Sequence, residues 1–454
     1  MQVEGRSWSS TWMTVAIAPF ALLLVVLLVV AAQSRVGASD AGAPLDYTGK
    51  EYVGHYECIS CHSDVYDDFQ HTSHPLKVGT EGTIVQEAID TWGVEMVHPF
   101  GNPVVFNGDE PTGIAGTRDI SLADGTELSG VSGVYVVQES DREFRADFYD
   151  AAEQMVHSTP VNIYHIGAPM YRQAFAVNLQ DGHGTRLLKY QYSLDDFGHF
   201  YTWRDRNQAR IYEVNCIGCH VVGFDLAKWE ADKNLEITMT TANLGVSCES
   251  CHGPGSAHVE DPDTFGLIVH PTRDLTVNQQ VHLCSQCHIR GWTHDGEGNR
   301  TGRQDNLNFR PGDSVLEYFE PWTLELGVGN ARVATDGKAR ASRQQFMDHN
   351  IGVHADLSCT DCHGWHANND QGSLLRDDLA AVCGSCHGDT YGDAEAIRAL
   401  INGRVGWEGA DAGWWMNHTF RNDEQGRVIG FPVGEWPEDG KWPWDREGFR
   451  WDWE

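Results

Sequence analysis

Six short peptides hold every cysteine of this chain. They are Cys58-Ile-Ser-Cys61-His62, Cys216-Ile-Gly-Cys219-His220, Cys248-Glu-Ser-Cys251-His252, Cys284-Ser-Gln-Cys287-His288, Cys359-Thr-Asp-Cys362-His363 and Cys383-Gly-Ser-Cys386-His387. Each reads C-x-x-C-H, the attachment signature of c-type haem, and none of the 12 cysteines is left over. A random chain of this composition would contain roughly 0.015 copies, so the repeat is not accidental. The spacing has a physical reason. Residues three and four apart share one face of a helical turn, so two thiols and the adjacent imidazole all reach one edge of a porphyrin. The thiols form thioethers with the vinyl groups and the imidazole ligates the iron from the proximal side. The expected cofactors are therefore six covalently bound haems, with His62, His220, His252, His288, His363 and His387 as proximal ligands.

Other chemistries use the same residue types. A thioredoxin-like dithiol does not call for a histidine after each pair, six times over. A zinc ribbon could be built from neighbouring pairs, but the regular histidine fits it poorly. A disulfide three residues long leaves the histidine unexplained.

Sixteen of the 22 histidines lie outside the motifs, and a second axial ligand for each haem must come from such groups. The bland alternative for each is an imidazole at the surface or the edge of a core. His258 lies six residues beyond His252, across a Gly-Pro-Gly turn that can fold the chain back over a haem. His282 precedes Cys284 by two, and His366 follows His363 by three. His349 and His354 precede Cys359, and His74, with His71, follows the first motif. The distal candidates are His74, His258, His282, His349, His354 and His366. His55 is tied to the first motif by its spacing alone. Methionine is scarce, and none of Met96, Met155, Met170, Met239, Met347 and Met416 has a haem-linked spacing.

The elements that must position these groups are unevenly spread. The first and second motifs are separated by a long haem-free stretch. In it Gly133–Val137 and Glu143–Tyr149 have strand patterning, and Arg172–Leu179 and Arg186–Tyr192 flank a turn at Asp181–Gly184, a hairpin signal. Motifs two to four, and five to six, are separated by spacers too short for apolar cores of their own, so the haems are expected to form the core. The divisions read as 1–38 for export, 39–80 for the first haem segment, 81–205 for a β-rich module, and 206–300 for a three-haem segment. They continue with 301–345 as a polar linker, 346–400 as a two-haem segment and 401–454 as a Trp-rich wrap. The fold expectation is a mainly α and irregular multihaem cytochrome c with a haem-packed core and a small β-rich insertion between motifs one and two.

The 454 residues carry 32 Lys+Arg against 65 Asp+Glu, a formal charge of −33. That charge repels nucleic-acid backbones and anionic lipid headgroups and favours a basic redox partner. Met13 to Ala32 is an apolar run with Arg6 before it and Val36-Gly37-Ala38 after it. It reads either as a cleaved signal peptide or as a retained anchor. Both place the rest of the chain in the periplasm or at the cell surface, where c-type attachment takes place.

Several stretches resemble the multihaem cytochrome c-554 family, which is related to the hydroxylamine oxidoreductase-like cytochromes. They are Tyr52-Val-Gly with Cys58–His62 and Phe69-Gln-His-Thr-Ser-His74; Tyr164-His-Ile-Gly with Gln173; Glu213–His220; and Gly245–His258. The likeness covers roughly residues 50–390. It implies mostly bis-histidine haems in closely stacked pairs, electron transfer as the common activity, and His74 and His258 as distal ligands. The chain departs from the family in having six motifs rather than four or eight, in Trp365 within Cys362-His-Gly-Trp-His366, and in lacking a C-x-x-C-K site.

The expected function is that of an exported hexahaem cytochrome carrying electrons between redox proteins, with no catalytic residue singled out. Two alternatives stand beside it. One is a multihaem oxidoreductase acting on a small nitrogen or sulfur compound at one five-coordinate haem. The other is a subunit of a membrane redox complex or of an extracellular haem filament.

Overall fold

The computed structural model describes residues 45–80, 102–104, 118–140, 143–167, 172–188, 190–193, 199–202, 211–294, 300–301, 305–321, 343, 345–350, 354–367, 374–393, 395–396, 421–422 and 428–429. The apolar run Met13–Ala32 lies outside them, as do His98 and the Trp-rich stretch from Trp407 onward apart from 421–422 and 428–429. Among the described residues no helix is long and apolar enough to cross a membrane.

Helices and sheets are both present, and the division follows the motifs. Most of the described residues between the first two motifs are in strands, which form two sheets. One joins β2 (Asn102–Val104), β3 (Arg118–Ser121), β4 (Glu127–Ser140), β5 (Glu143–Asp150) and β6 (Met155–Val161). The other joins β1 (Val78–Thr80), β7 (Ile163–Ile166), β8 (Arg172–Asn178), β9 (Thr185–Leu187), β10 (Tyr190–Ser193) and β11 (His199–Thr202). Every pairing is antiparallel. The stretches with strand patterning lie in β4, β5, β8, β9 and β10. The hairpin turn is made by Gly182 and Gly184 at φ 79° and 84°, conformations that cost glycine least.

In the second sheet β7, β9 and residues 174–178 of β8 are buried on both faces, and their alternation says against what. Ile163, Phe175 and Val177 pack with Val131, Val134, Phe144 and Phe148 of the first sheet. Their neighbours Tyr164, Ile166, Ala174 and Ala176 point the other way, onto Tyr212, Ile217 and Val221 around the second motif. The turn after β8 is held to the same region. Asn178 Nδ2 donates to the carbonyls of Lys233 and Leu235, and Gly182 N–H donates to Asn234.

All six motifs sit on single helical turns or short helices, as the three-residue spacing requires. The first lies in His55–Phe69, which kinks at His62 (φ −118°, ψ 38°), and the second in the 3₁₀ turn Ile217–Cys219. The third is Cys248–His252, the fourth follows from Val277–Ser285, the fifth is Cys359–Cys362, and the sixth lies within Leu379–Tyr391. Caps start three of these helices. Thr276 caps with Gln279, Ser358 with Asp361, and Asp378 accepts from Ala380 N–H.

The haem-bearing segments build an apolar cluster, in which Val269, Leu275, Val281, Leu283 and Ile289 meet Phe346 and Met347. Phe309, Val315 and Phe319, from the stretch 301–345, are buried in that cluster. Three large apolar side chains suffice to anchor a segment whose average composition is polar.

Candidate haem sites

All twelve cysteines are thiols rather than disulfides, so both sulfurs of every motif are available for thioethers. The second requirement of such a site is a pair of imidazoles on opposite sides of one metal. Two imidazoles bound through Nε2, each about 2.0–2.1 Å from the metal, would place their ring centroids about 6.3 Å apart, whatever the twist between them.

Among the described residues, four histidine pairs meet that requirement. His62 and His258 have centroids 6.4 Å apart with planes at 24°, and His252 and His366 6.2 Å apart at 15°. His74 and His288 are 6.3 Å apart at 90°, and His354 and His387 6.1 Å apart at 63°. Each pair joins one motif histidine to one outside the motifs. Rings packed directly on each other change their separation with their angle. Here the separation is constant while the angle runs from parallel to perpendicular, as rotation about a common axis through a bridging atom allows. The residues therefore fit haem.

The surroundings set these imidazoles up as ligands. Burial lowers His74 to about 3 and His288 to about 4, which keeps both neutral with a lone pair to give. His252 Nδ1 donates to the Val269 carbonyl at 2.7 Å, which leaves Nε2 as the electron-pair donor. His220 Nδ1 is hydrogen-bonded to the Tyr212 hydroxyl at 2.9 Å, and His363 bonds the Leu374 backbone.

His282 and His349 are placed differently. The Val315 N–H donates to His282 Nδ1 at 3.0 Å, which puts the proton of the neutral ring on Nε2. His349 Nε2 donates to the Leu357 carbonyl at 3.0 Å. In this arrangement neither ring lies opposite a motif histidine at the common spacing. His55 is hydrogen-bonded to Asn243 through Nδ1.

Some residues that build the sites were given no role by the motif spacing. Glu249, between the cysteines of the third motif, is 1 % exposed. Its carboxylate accepts from Val53, Gly54 and Gly255 N–H at 2.8–3.2 Å. It thus fastens the start of the first motif's helix to the turn that carries His258, so it sets both sides of the His62–His258 pair. Gly245 is another. A Cβ there would run into the Pro75 carbonyl, and the next residue, Val246, donates to the His74 carbonyl at 3.1 Å.

Comparison with known proteins agrees with this chemistry. Residues 352–392 match the family model for the doubled CXXCH motif, and residues 200–253 match the model for cytochrome c554 and c-prime. The chain is 22 % identical to the multiheme cytochrome MtrA of Shewanella baltica over 148 residues, 33 % of this chain and 44 % of the relative. It is 33 % identical to cytochrome c-554 of Nitrosomonas europaea over 87 residues, 17 % of this chain and 35 % of the relative. The match thus spans less than half the length of either curated relative. The crystal structure of the outer cell wall cytochrome OcwA is similar with a TM-score of 0.46 at 16 % identity, over 74 % of this chain and 67 % of that one. Repeated haem-attachment motifs, two matching family models and two relatives that are themselves cytochromes support a multihaem cytochrome c family for this chain.

Proposed function

We propose that this protein is an exported cytochrome that holds six haems and carries electrons along them between other redox proteins. Each haem, when bound, supplies one ferric/ferrous couple. The protein's part is to hold, orient and insulate. Cys58 and Cys61, Cys216 and Cys219, Cys248 and Cys251, Cys284 and Cys287, Cys359 and Cys362, and Cys383 and Cys386 supply the thioethers. The motif histidines supply the proximal ligands. The distal ligands are His258 for the first motif, His366 for the third, His74 for the fourth and His354 for the sixth.

The observation that carries this reading is the set of four histidine pairs at one common spacing. Paired imidazoles saturate an iron and leave no position for substrate, which suits a carrier. Electron paramagnetic resonance on the ferric protein tests it. At least four low-spin haems per chain are expected. A spectrum dominated by high-spin iron would favour a substrate-converting enzyme instead.

A further inference from the structure

A histidine that reaches iron through Nε2 keeps the proton of its neutral ring on Nδ1, and that proton needs an acceptor. At two motifs the backbone supplies it: His252 bonds the Val269 carbonyl, and His363 bonds the Leu374 backbone. At the second motif a side chain stands there. His220 Nδ1 lies 2.9 Å from the Tyr212 hydroxyl, with the two rings 5.8 Å apart at 65°. With His220 on iron, the phenol oxygen accepts this proton. A backbone carbonyl is present whatever the residue; a phenol at this point is specified by one codon.

The phenol is held by the β module. Tyr212 is fully buried and shares one apolar cluster with Ile166, Ala174 and Leu187 of the second sheet and with Ile217 and Val221 at the motif. Both of its chain neighbours are fastened to β9. Ile211 pairs with Arg186, and Glu213 accepts from Thr185 N–H at 3.0 Å. Tyr212 then opens the helical turn Tyr212–Asn215, and its carbonyl accepts from Cys216 N–H at 2.9 Å. A second turn follows, closed by His220 N–H on the Ile217 carbonyl at 2.9 Å. The two turns bring the proximal imidazole back to the residue that begins them.

An acceptor on Nδ1 makes an imidazole a better electron donor, which favours ferric over ferrous iron and lowers the potential. In an apolar cluster that hydrogen bond acts at low dielectric, so its effect on the ligand is strong.

We infer that Tyr212 is a positioning residue for the second haem: its hydroxyl orients the His220 ring and lowers the potential of that haem, and the haem-free β module serves electron transfer by holding the phenol in an apolar setting. The inference rests on the reading of Cys216–His220 as a haem-attachment site of an electron carrier.

Spectroelectrochemical titration of the purified holoprotein tests it. Tyr212→Phe keeps the ring and its packing and removes the acceptor. One haem couple should move to higher potential by a gain in electron affinity of about tenfold, which is 59 mV for a one-electron couple. The other couples should change by less than about twofold. Ile237→Val removes one methylene from the same cluster without touching the hydrogen bond, and all its couples should stay within about twofold of the unmodified protein. A downward shift in Tyr212→Phe, the absence of any shift, or an equal shift in Ile237→Val overturns the inference. An experimental structure of the unmodified holoprotein tests the contact without substitution. Tyr212 Oη within hydrogen-bonding distance of His220 Nδ1 is expected; a backbone carbonyl or a water in its place overturns it. Peptide mass mapping separates the two levels: Cys216 and Cys219 without haem contradict the attachment reading, whereas a loaded second motif with unshifted couples contradicts the role of Tyr212 alone.

Discussion

At the scale of single residues, haem ligation turns on which nitrogens give their electron pairs to iron. His258→Ala should convert one haem to a five-coordinate, high-spin state and leave the covalent haem count unchanged. Unaltered low-spin intensity would remove His258 from the ligand set. Glu213 offers a separate test away from the ligands. It is fully buried beside the β8–β9 turn, accepts from Thr185 N–H at 3.0 Å, and burial pushes its carboxyl up to about 7 from its ordinary 4.5. A folded value above the unfolded one means that the stability is intact below about 4.5 and is lost as pH rises through about 7. Glu213→Gln keeps the acceptor and removes the titration. Thermal unfolding should show the variant up to about 3 kcal/mol more stable at pH 8, with little difference at pH 4. Equal melting at both pH values would contradict the assignment.

At the scale of elements, two connections hold ligands in place. Glu249→Ala strands three backbone N–H groups in a buried site. The cost should be about 3 kcal/mol or more, with a changed spectrum for the first haem as His62 and His258 lose their common anchor. Gly245→Ala meets the Pro75 carbonyl and adopts φ 76° with a side chain. It should lower the melting temperature and disturb the haem that His74 serves; circular dichroism melts and resonance Raman spectra check both. Phe148→Ala, by contrast, opens the packing between the two sheets and should cost about 3–5 kcal/mol while leaving haem ligation unaltered. The strands were legible because alternation writes a half-buried strand directly into the order of residues: Phe144, Ala146 and Phe148 face in, and Glu143, Arg145 and Asp147 alternate with them. The apolar cluster around Phe309 and Phe346 was not legible. It is gathered from segments far apart in the chain, each of them polar on average.

At the scale of the whole molecule, the attachment chemistry was readable and the pairing was not. Cysteine and proximal histidine are adjacent in sequence because one helical turn must present them together. His74 and His288, or His62 and His258, are brought together by the fold, and nothing local records it. Spacing brought His366, His354, His282 and His349 into the candidate set together, and the fold places the first two opposite motif histidines. The net charge of −33 acts at this scale as well. Association with a basic redox partner should slow steeply as ionic strength rises, because screening shortens to about 10 Å at 0.1 M salt; a rate indifferent to salt would argue against charge-guided encounter. The most direct measurement is the intact mass of the purified protein with its reduced absorption spectrum. Six covalent porphyrin additions and a sharp α-band are predicted. Twelve unmodified thiols, or haem that is removed by acid extraction, would contradict six covalent haems.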